Sequence, residues 1–363
     1  MPISQSAAAS VKGTPQLFRL VAARGFAHVQ AIRNTNNPRG NAQMKAAVYY
    51  ENGPPSVLKY EDVPDPELFD DGILVANKVI SIEGGDTLNR LRGDLAANPH
   101  IVGYQSAGVV DAVGKNVTGF QPGDEVVCIN FHGSHAEKRL TLPQTAWKIP
   151  AGMDMKQAAA VPIPFGTADD CLFEFGRLKE GETALIQAGA SAVGIAAIQL
   201  AKKAGATVIA TASSKAKLDK LTDLGMDHGI NYVEQDLVEE AKKLTGGRGV
   251  DVVVDPVGGP TLQQSIYALG YRGRVSTVGD AGREFIKFDL STLREGNRSI
   301  TGVFQGAEIF TDRMHNLVAS HLENVHRGDL KVIIDSEYAL KDAAKAHEHI
   351  ESRKAFGRVL LIP

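Results

Sequence analysis

A chain of 363 residues, 43% hydrophobic and 22% charged, is long enough for two ordinary domains, each with its own core. A formal net charge of -3, with no basic stripe interleaved with aromatics, argues against a nucleic-acid partner. Two cysteines, Cys128 and Cys171, are too few for a disulfide framework and lack metal-site spacing, which fits a reducing compartment.

Residues 1–43 hold no Asp or Glu, but they hold Lys12, Arg19, Arg24, Arg33 and Arg39, with Ser4, Ser6 and Ser10 among alanines. Two readings stand: an organellar transit peptide, which implies mitochondria, or an upstream extension without structural meaning, which leaves a cytoplasmic protein. On either reading the fold is expected to begin near Met44, where a strand-like run opens.

From Met44 to about Pro164, short apolar runs (Val75 to Ile82, Ser106 to Val113, Glu125 to Ile129) alternate with Gly, Pro and Asp turns, the pattern of a compact strand-rich domain. Beyond Phe165, strands alternate with helix-length periodic segments, as parallel βαβ units require. Strands are expected at Thr183 to Gln187, Thr207 to Thr211, Val250 to Asp255, Arg274 to Val278 and Ser299 to Val303, with helices at Val193 to Ala204 and Lys215 to Leu224. A ligand should sit where the carboxyl ends of these strands meet. From about Glu308 an amphipathic helix, a charged strand near Lys331 to Tyr338, a helix around Leu340 to Glu351 and a last strand, Arg358 to Ile362, follow. The uncharged stretch Ala184 to Leu200 contains Gln187, Gly189, Ser191, Gly194 and Gln199, so it reads as strand, turn and buried helix rather than a membrane span.

Gly189-Ala190-Ser191-Ala192-Val193-Gly194 has the spacing of a dinucleotide-binding turn, with serine in the middle place. Gly189 is expected to permit the tight turn, Gly194 to let helix and strand pack closely, and the free amides of the helix start to face a pyrophosphate. The second strand ends Ala210-Thr211-Ala212-Ser213-Ser214, without the carboxylate that an NAD-selecting site needs for the ribose hydroxyls. Ser213, Ser214, Lys215 and Lys217 instead offer hydroxyls and positive charge to a 2′-phosphate, so the expected cofactor is NADPH. The alternative is that Ser213 caps the next helix and the lysines are its solvated face.

Several motifs carry a family resemblance. Pro99-His100-Ile101-Val102-Gly103-Tyr104-Gln105-Ser106-Ala107-Gly108-Val109-Val110, Val113-Gly114, Gly123-Asp124-Glu125-Val126, the run from Gly181 to Lys202 and Asp255-Pro256-Val257-Gly258-Gly259 resemble the medium-chain dehydrogenase/reductase superfamily, closest to its quinone oxidoreductase branch. The resemblance implies an α/β chain: a β-rich GroES-like catalytic domain over 44–165, a Rossmann NADPH-binding domain over 166–306, and a return to the catalytic domain over 307–363. It places the diphosphate on Ala190, Ser191, Ala192 and Val193, the 2′-phosphate on Ser213, Lys217 and Tyr232, and Val257 and Gly279 at the nicotinamide end. It also implies a homodimer joined edge to edge near Ser299 to Val303.

Where zinc alcohol dehydrogenases carry ligands, this chain has Tyr104, Gln105 and Glu83, so zinc-independent chemistry is expected. Without a Lewis acid, reducing an electrophilic quinone or enone is easier than oxidising an alcohol. Glu83, Asp86 and Tyr104 are the candidate catalytic residues, with Tyr104 the candidate proton donor, and Asn89, Phe131 and Thr167 candidates for substrate contact. Tyr104 reads equally as a satisfied core tyrosine and Asp86 as a turn anchor. The family's usual Asn-Pro before the aspartate is Glu83-Gly84-Gly85 here. Two other functions fit the same fold: a 2-enoyl thioester reductase, and a non-catalytic NADPH-binding protein.

Overall fold

The computed structural model describes residues 43–363, so the two readings of the leader lie, but for Gln43, outside the described residues. Short apolar, largely buried runs separated by turns make the first half a set of antiparallel strands. Gln43–Tyr49 pairs with Lys59–Pro64 and with His100–Ile101. A larger sheet runs in the order Ile334–Ala339, Arg358–Ile362, Ile73–Ser81, Gln105–Val113, Glu125–Ile129, Ala146–Lys148, with Lys138–Thr141 also paired to Ile73–Ser81. The last strand therefore crosses back: Leu360 stands opposite Ser81 and Leu361 opposite Ile80. Its all-apolar core, Val359 to Leu361, is buried with Ile80 and Ile82.

The second half is a six-stranded, wholly parallel sheet in the order His228–Asn231, Thr207–Ala212, Thr183–Ile186, Val250–Asp255, Leu269–Thr277, Ser299–Gly302. The central strands are buried along almost their whole length, as strands with helices on both faces are. Helix Ala192–Lys203 packs on one side through Ile195, Ile198 and Leu200, joined there by Pro162–Asp169 and Asp312–His326. Strand order reverses between Thr183–Ile186 and Val250–Asp255, which opens a crevice at their carboxyl ends.

The expected elements form, with ends displaced by a few residues. Sequence pattern missed the helices Gly84–Arg92, which opens on two glycines and has only Leu88 and Leu91 as large apolar residues, Pro162–Asp169, Leu237–Leu244 and Gly259–Ala268, and the short strand His228–Asn231, whose first two residues are exposed. No helix among the described residues is long and apolar enough to cross a membrane.

Candidate active site

A polar chain braces the strand ends beneath the glycine turn. Thr211 Oγ1 donates to Gln187 Oε1 (2.9 Å), Gln187 Nε2 to Ser265 Oγ (3.0 Å), and Ser265 Oγ to Asp255 Oδ2 (2.9 Å). Asp255 Oδ1 in turn accepts from the amides of Val257 (2.8 Å) and Gly258 (2.9 Å), which shapes the next loop. Above this chain the Gly189 amide donates to Thr211 O at 2.8 Å.

The left-handed residue of the turn is Ala188, at φ 49°, so Gly189 serves a different purpose from the conformational one expected of it. A Cβ there would stand 2.8 Å from Leu221 Cδ1 and 3.0 Å from Ala210 Cβ. At Gly194 a Cβ would stand 2.5 Å from Ala188 O and 2.8 Å from Gly189 Cα, so no side chain fits. Ser191 caps the helix, its Oγ accepting from the Gly194 amide at 3.0 Å. The amides of Ala192 and Val193, at the open end of the helix, belong to residues of the cavity wall.

That cavity, of about 620 Å³, runs from the turn to Tyr104. Its walls include Ala190, Ser191, Ala192, Val193, Ser213, Lys217, Tyr232, Val257 and Gly279 from the expected cofactor set, and Glu83, Tyr104, Phe131 and Thr167 from the expected reaction end. Gly189, Gly194, Ser214, Asp86 and Asn89 are not in the wall. The glycines act from beneath it. Ser214, not Ser213, caps helix Lys215–Thr222, its Oγ accepting from the Lys217 amide at 3.4 Å. Lys217 Nζ donates to Arg353 O (2.8 Å) and Ala355 O (3.0 Å), leaving one N–H for a ligand. Lys215 points away, paired with Asp219 at 2.7 Å. Arg353, which sequence pattern did not single out, lines the same end from a left-handed turn (φ 58°) after helix Ala343–Glu351.

At the other end, Asp86 is fully buried and its Oδ2 accepts from the Glu83 amide at 2.8 Å. It anchors the start of helix Gly84–Arg92 and lies behind the wall, so the structure favours the turn-anchor reading over the catalytic one. Burial pushes its carboxyl well above the usual carboxylate range. Asn89 also sits behind the wall, donating from Nδ2 to Tyr104 Oη at 2.9 Å, so it touches the tyrosine where substrate contact had been expected. Burial raises the Tyr104 phenol further above its ordinary value, and the neighbouring Asp86 adds to the effect. The Tyr104 carbonyl accepts from the Asn130 amide (2.8 Å) and from buried Arg139 Nη1 (3.0 Å).

Glu83 is buried in an ion pair with Arg358, Oε2 to Nη1 at 2.8 Å, while its Oε1 accepts from Gln105 Nε2 at 2.5 Å. Burial raises its carboxyl and Arg358 opposes the shift. Arg358 also donates to the Ile82 carbonyl, and Gln105 Oε1 accepts from the Ile163 amide at 3.0 Å. These side chains occupy one another where zinc ligands would stand, and among the described residues no group of three His, Cys, Asp or Glu is placed to hold a metal ion. The residues do not fit a zinc ion. A salt-bridged cluster, in which Glu351 meets Arg90 and Arg283 (3.0 Å for the latter), closes the side wall.

Comparisons with known proteins bear on the family of the chain as a whole. A family model described as alcohol dehydrogenase GroES-like domain matches residues 70–154, and one described as zinc-binding dehydrogenase matches 192–320. The chain is 31% identical over 328 residues to a quinone oxidoreductase of Sus scrofa, covering 89% of this chain and 99% of that one. It is 30% identical to a 2-haloacrylate reductase of a Burkholderia species, covering 88% and 98%. The structure of Escherichia coli quinone oxidoreductase complexed with NADPH superposes with a TM-score of 0.82 at 30% identity, covering 88% and 100% of the two chains.

Proposed function

The chain belongs to the quinone oxidoreductase branch of the medium-chain dehydrogenase/reductase superfamily, and from that premise we propose that it reduces quinones or activated enones and carbonyls with NADPH, independently of zinc. One observation carries the reading: a single cavity joins the glycine turn to a phenol, between apolar walls that include Ile129, Phe131, Ile163 and Phe304. A planar electrophile fits such a place.

Bound NADPH supplies a hydride. The amides of Ala192 and Val193 hold the diphosphate, while Ser213, Tyr232, the remaining N–H of Lys217 and the guanidinium of Arg353 receive the 2′-phosphate. Thr167, whose Oγ1 donates to Gln305 Oε1 at 3.0 Å, and Phe131 set the acceptor's plane. With an enone, hydride addition at the β-carbon moves the double-bond electrons onto the carbonyl oxygen. That oxygen takes the proton of Tyr104, and the phenolate regains one from water. Glu83, paired with Arg358, keeps the end of the cavity polar but internally satisfied. The charge needed for the reaction is thus one hydride and one proton, with no metal-bound step.

We place the catalytic part at 44–165 and 307–363 and the NADPH-binding part at 166–306, in a cytoplasmic homodimer. Among the described residues, strand Ser299–Gly302 has a neighbour on one side only, and exposed Phe285, Phe288 and Leu290 precede it. A monomer mass on gel filtration, or import of the chain into mitochondria, would replace those two assignments.

The test is parallel NADPH and NADH oxidation across quinones, enones and enoyl thioesters, with zinc content recorded. Faster turnover with NADPH and quinones or enones is expected. NADPH binding without turnover of any acceptor would overturn the enzyme reading, and a preference for enoyl thioesters would overturn the substrate.

A further inference from the structure

Two small residues of helix Gly84–Arg92 meet the phenol of Tyr104. A Cβ on Gly85 would stand 2.5 Å from Tyr104 Cε2, 2.7 Å from Oη and 3.0 Å from Cζ, so the ring lies in the space that a side chain at 85 would fill. Gly85 has no left-handed backbone to explain a glycine there, in contrast to Gly103 at φ 115°. One turn further on, Asn89 Nδ2 donates to the phenolic oxygen at 2.9 Å. Among the described residues no acceptor stands within hydrogen-bond reach of the phenol's own proton. A phenol has one proton to give and lone pairs to accept with; when Asn89 fills an acceptor position, that proton turns away from Asn89. The open space left to it is the cavity, whose wall includes Tyr104 together with Gly84, Gly85, Thr87 and Leu88 of the helix.

The backbone is held as firmly as the ring. The Tyr104 carbonyl is fixed by the Asn130 amide and by Arg139, and Asp86 pins the first turn of the helix through the Glu83 amide. Ring and helix therefore keep one relative position.

We propose that Gly85 and Asn89 are positioning residues for the Tyr104 proton: Gly85 leaves the space in which the ring lies, and Asn89, by donating to the oxygen, aims the O–H at the acceptor. The proposal rests on the reading of Tyr104 as proton donor given above. Asn89 lies behind the cavity wall, and Gly85, which is part of that wall, has no side chain to offer the acceptor; both act through the tyrosine.

Asn89→Asp offers the sharpest test, because it puts an acceptor where a donor was and draws the phenol's proton back to the helix. Asn89→Asp and Gly85→Ala should each lower kcat for an enone roughly tenfold to a hundredfold, within what a positioned general acid supplies, with KM and NADPH affinity little changed. Neither change should add to the loss in Tyr104→Phe. Asn89→Gln, which keeps the donor, should recover part of the rate. The solvent isotope effect on kcat should rise in Asn89→Asp as proton transfer becomes slower. Losses of equal size in the Tyr104→Phe background would overturn the proposal, as would a Tyr104→Phe enzyme as fast as the parent. That second result would leave the oxidoreductase reading standing, since the parent still turns over. A readout independent of turnover is the crystal structure of Gly85→Ala: a displaced Tyr104 ring is expected, and a ring in its original place would overturn the role of Gly85.

Discussion

The two ends of the cavity are built on opposite principles. The glycine turn is six consecutive residues whose working parts are backbone amides and the absence of side chains; a Cβ at Gly194 has nowhere to go. The end around Tyr104 is a polar network drawn from distant segments: Glu83, Gln105, Arg139 and Arg358. The first tolerates almost no change of shape and the second almost no change of charge. An oxidoreductase built this way can keep its cofactor while its acceptor changes, because the two ends fail for different reasons.

The largest effect should fall on charge. Glu83→Leu leaves Arg358 buried without its partner and should cost roughly 3–5 kcal/mol in denaturant unfolding. If it cost nothing, the reaction end would not depend on a paired charge. The turn is broken by shape instead. Gly194→Val should weaken NADPH binding by more than about a hundredfold, roughly 2.8 kcal/mol, by fluorescence titration. Gly302→Ala, where a Cβ meets nothing within 4 Å, is its control and should bind as before.

Selectivity is a smaller effect of the turn's far end. Arg353→Ala should raise the Kd for NADPH roughly tenfold to a hundredfold, as the loss of a hydrogen bond to a charged group does, and leave NADH unchanged. Equal losses for both cofactors would place Arg353 away from the 2′-phosphate.

The last effect is graded by pH and vanishes above neutrality. His100 is buried, its Nδ1 accepting from the Ala96 amide at 3.1 Å, and burial lowers its pKa to about 4. Unfolded histidine titrates near 6.5, so between about pH 6.5 and 4 the unfolded chain holds a proton that the folded one lacks. The stability contributed is whole above that window and is lost as pH falls through it. Relative to His100→Gln, the parent should lose about 1.4 kcal/mol per pH unit there, and the difference should be flat above pH 7. A difference that is flat through the window would mean that His100 is protonated in the fold.

The contrast also explains how much was legible beforehand. The parallel sheet and the glycine turn are local: period, spacing and strand context lie within a few residues of one another, and both appear where expected. Asp86 and Asn89 are among the polar residues that the sequence offers for the reaction end. Whether they face the cavity depends on the rotation of helix Gly84–Arg92, whose only large apolar residues are Leu88 and Leu91. Ser213 and Ser214 are adjacent, and which of them caps the helix turns on one backbone step. Arg353 and Arg358 reach the site through a return of the chain, so no spacing near the turn could have pointed to them.

That return has a consequence for how the protein comes into being. Gly357 bridges to Ser191, its amide donating to Ala190 O at 2.9 Å, and Arg358 meets Glu83 on the other side of the cavity. A nascent chain emerging from the ribosome completes its parallel sheet well before it completes the loop that clasps the cofactor turn. Until residues 357 and 358 emerge, Glu83 has no guanidinium and the turn has no clasp. Competence to hold cofactor thus comes late in synthesis, and a chain cut short before Gly357 would carry the glycine turn's full sequence without the site it belongs to.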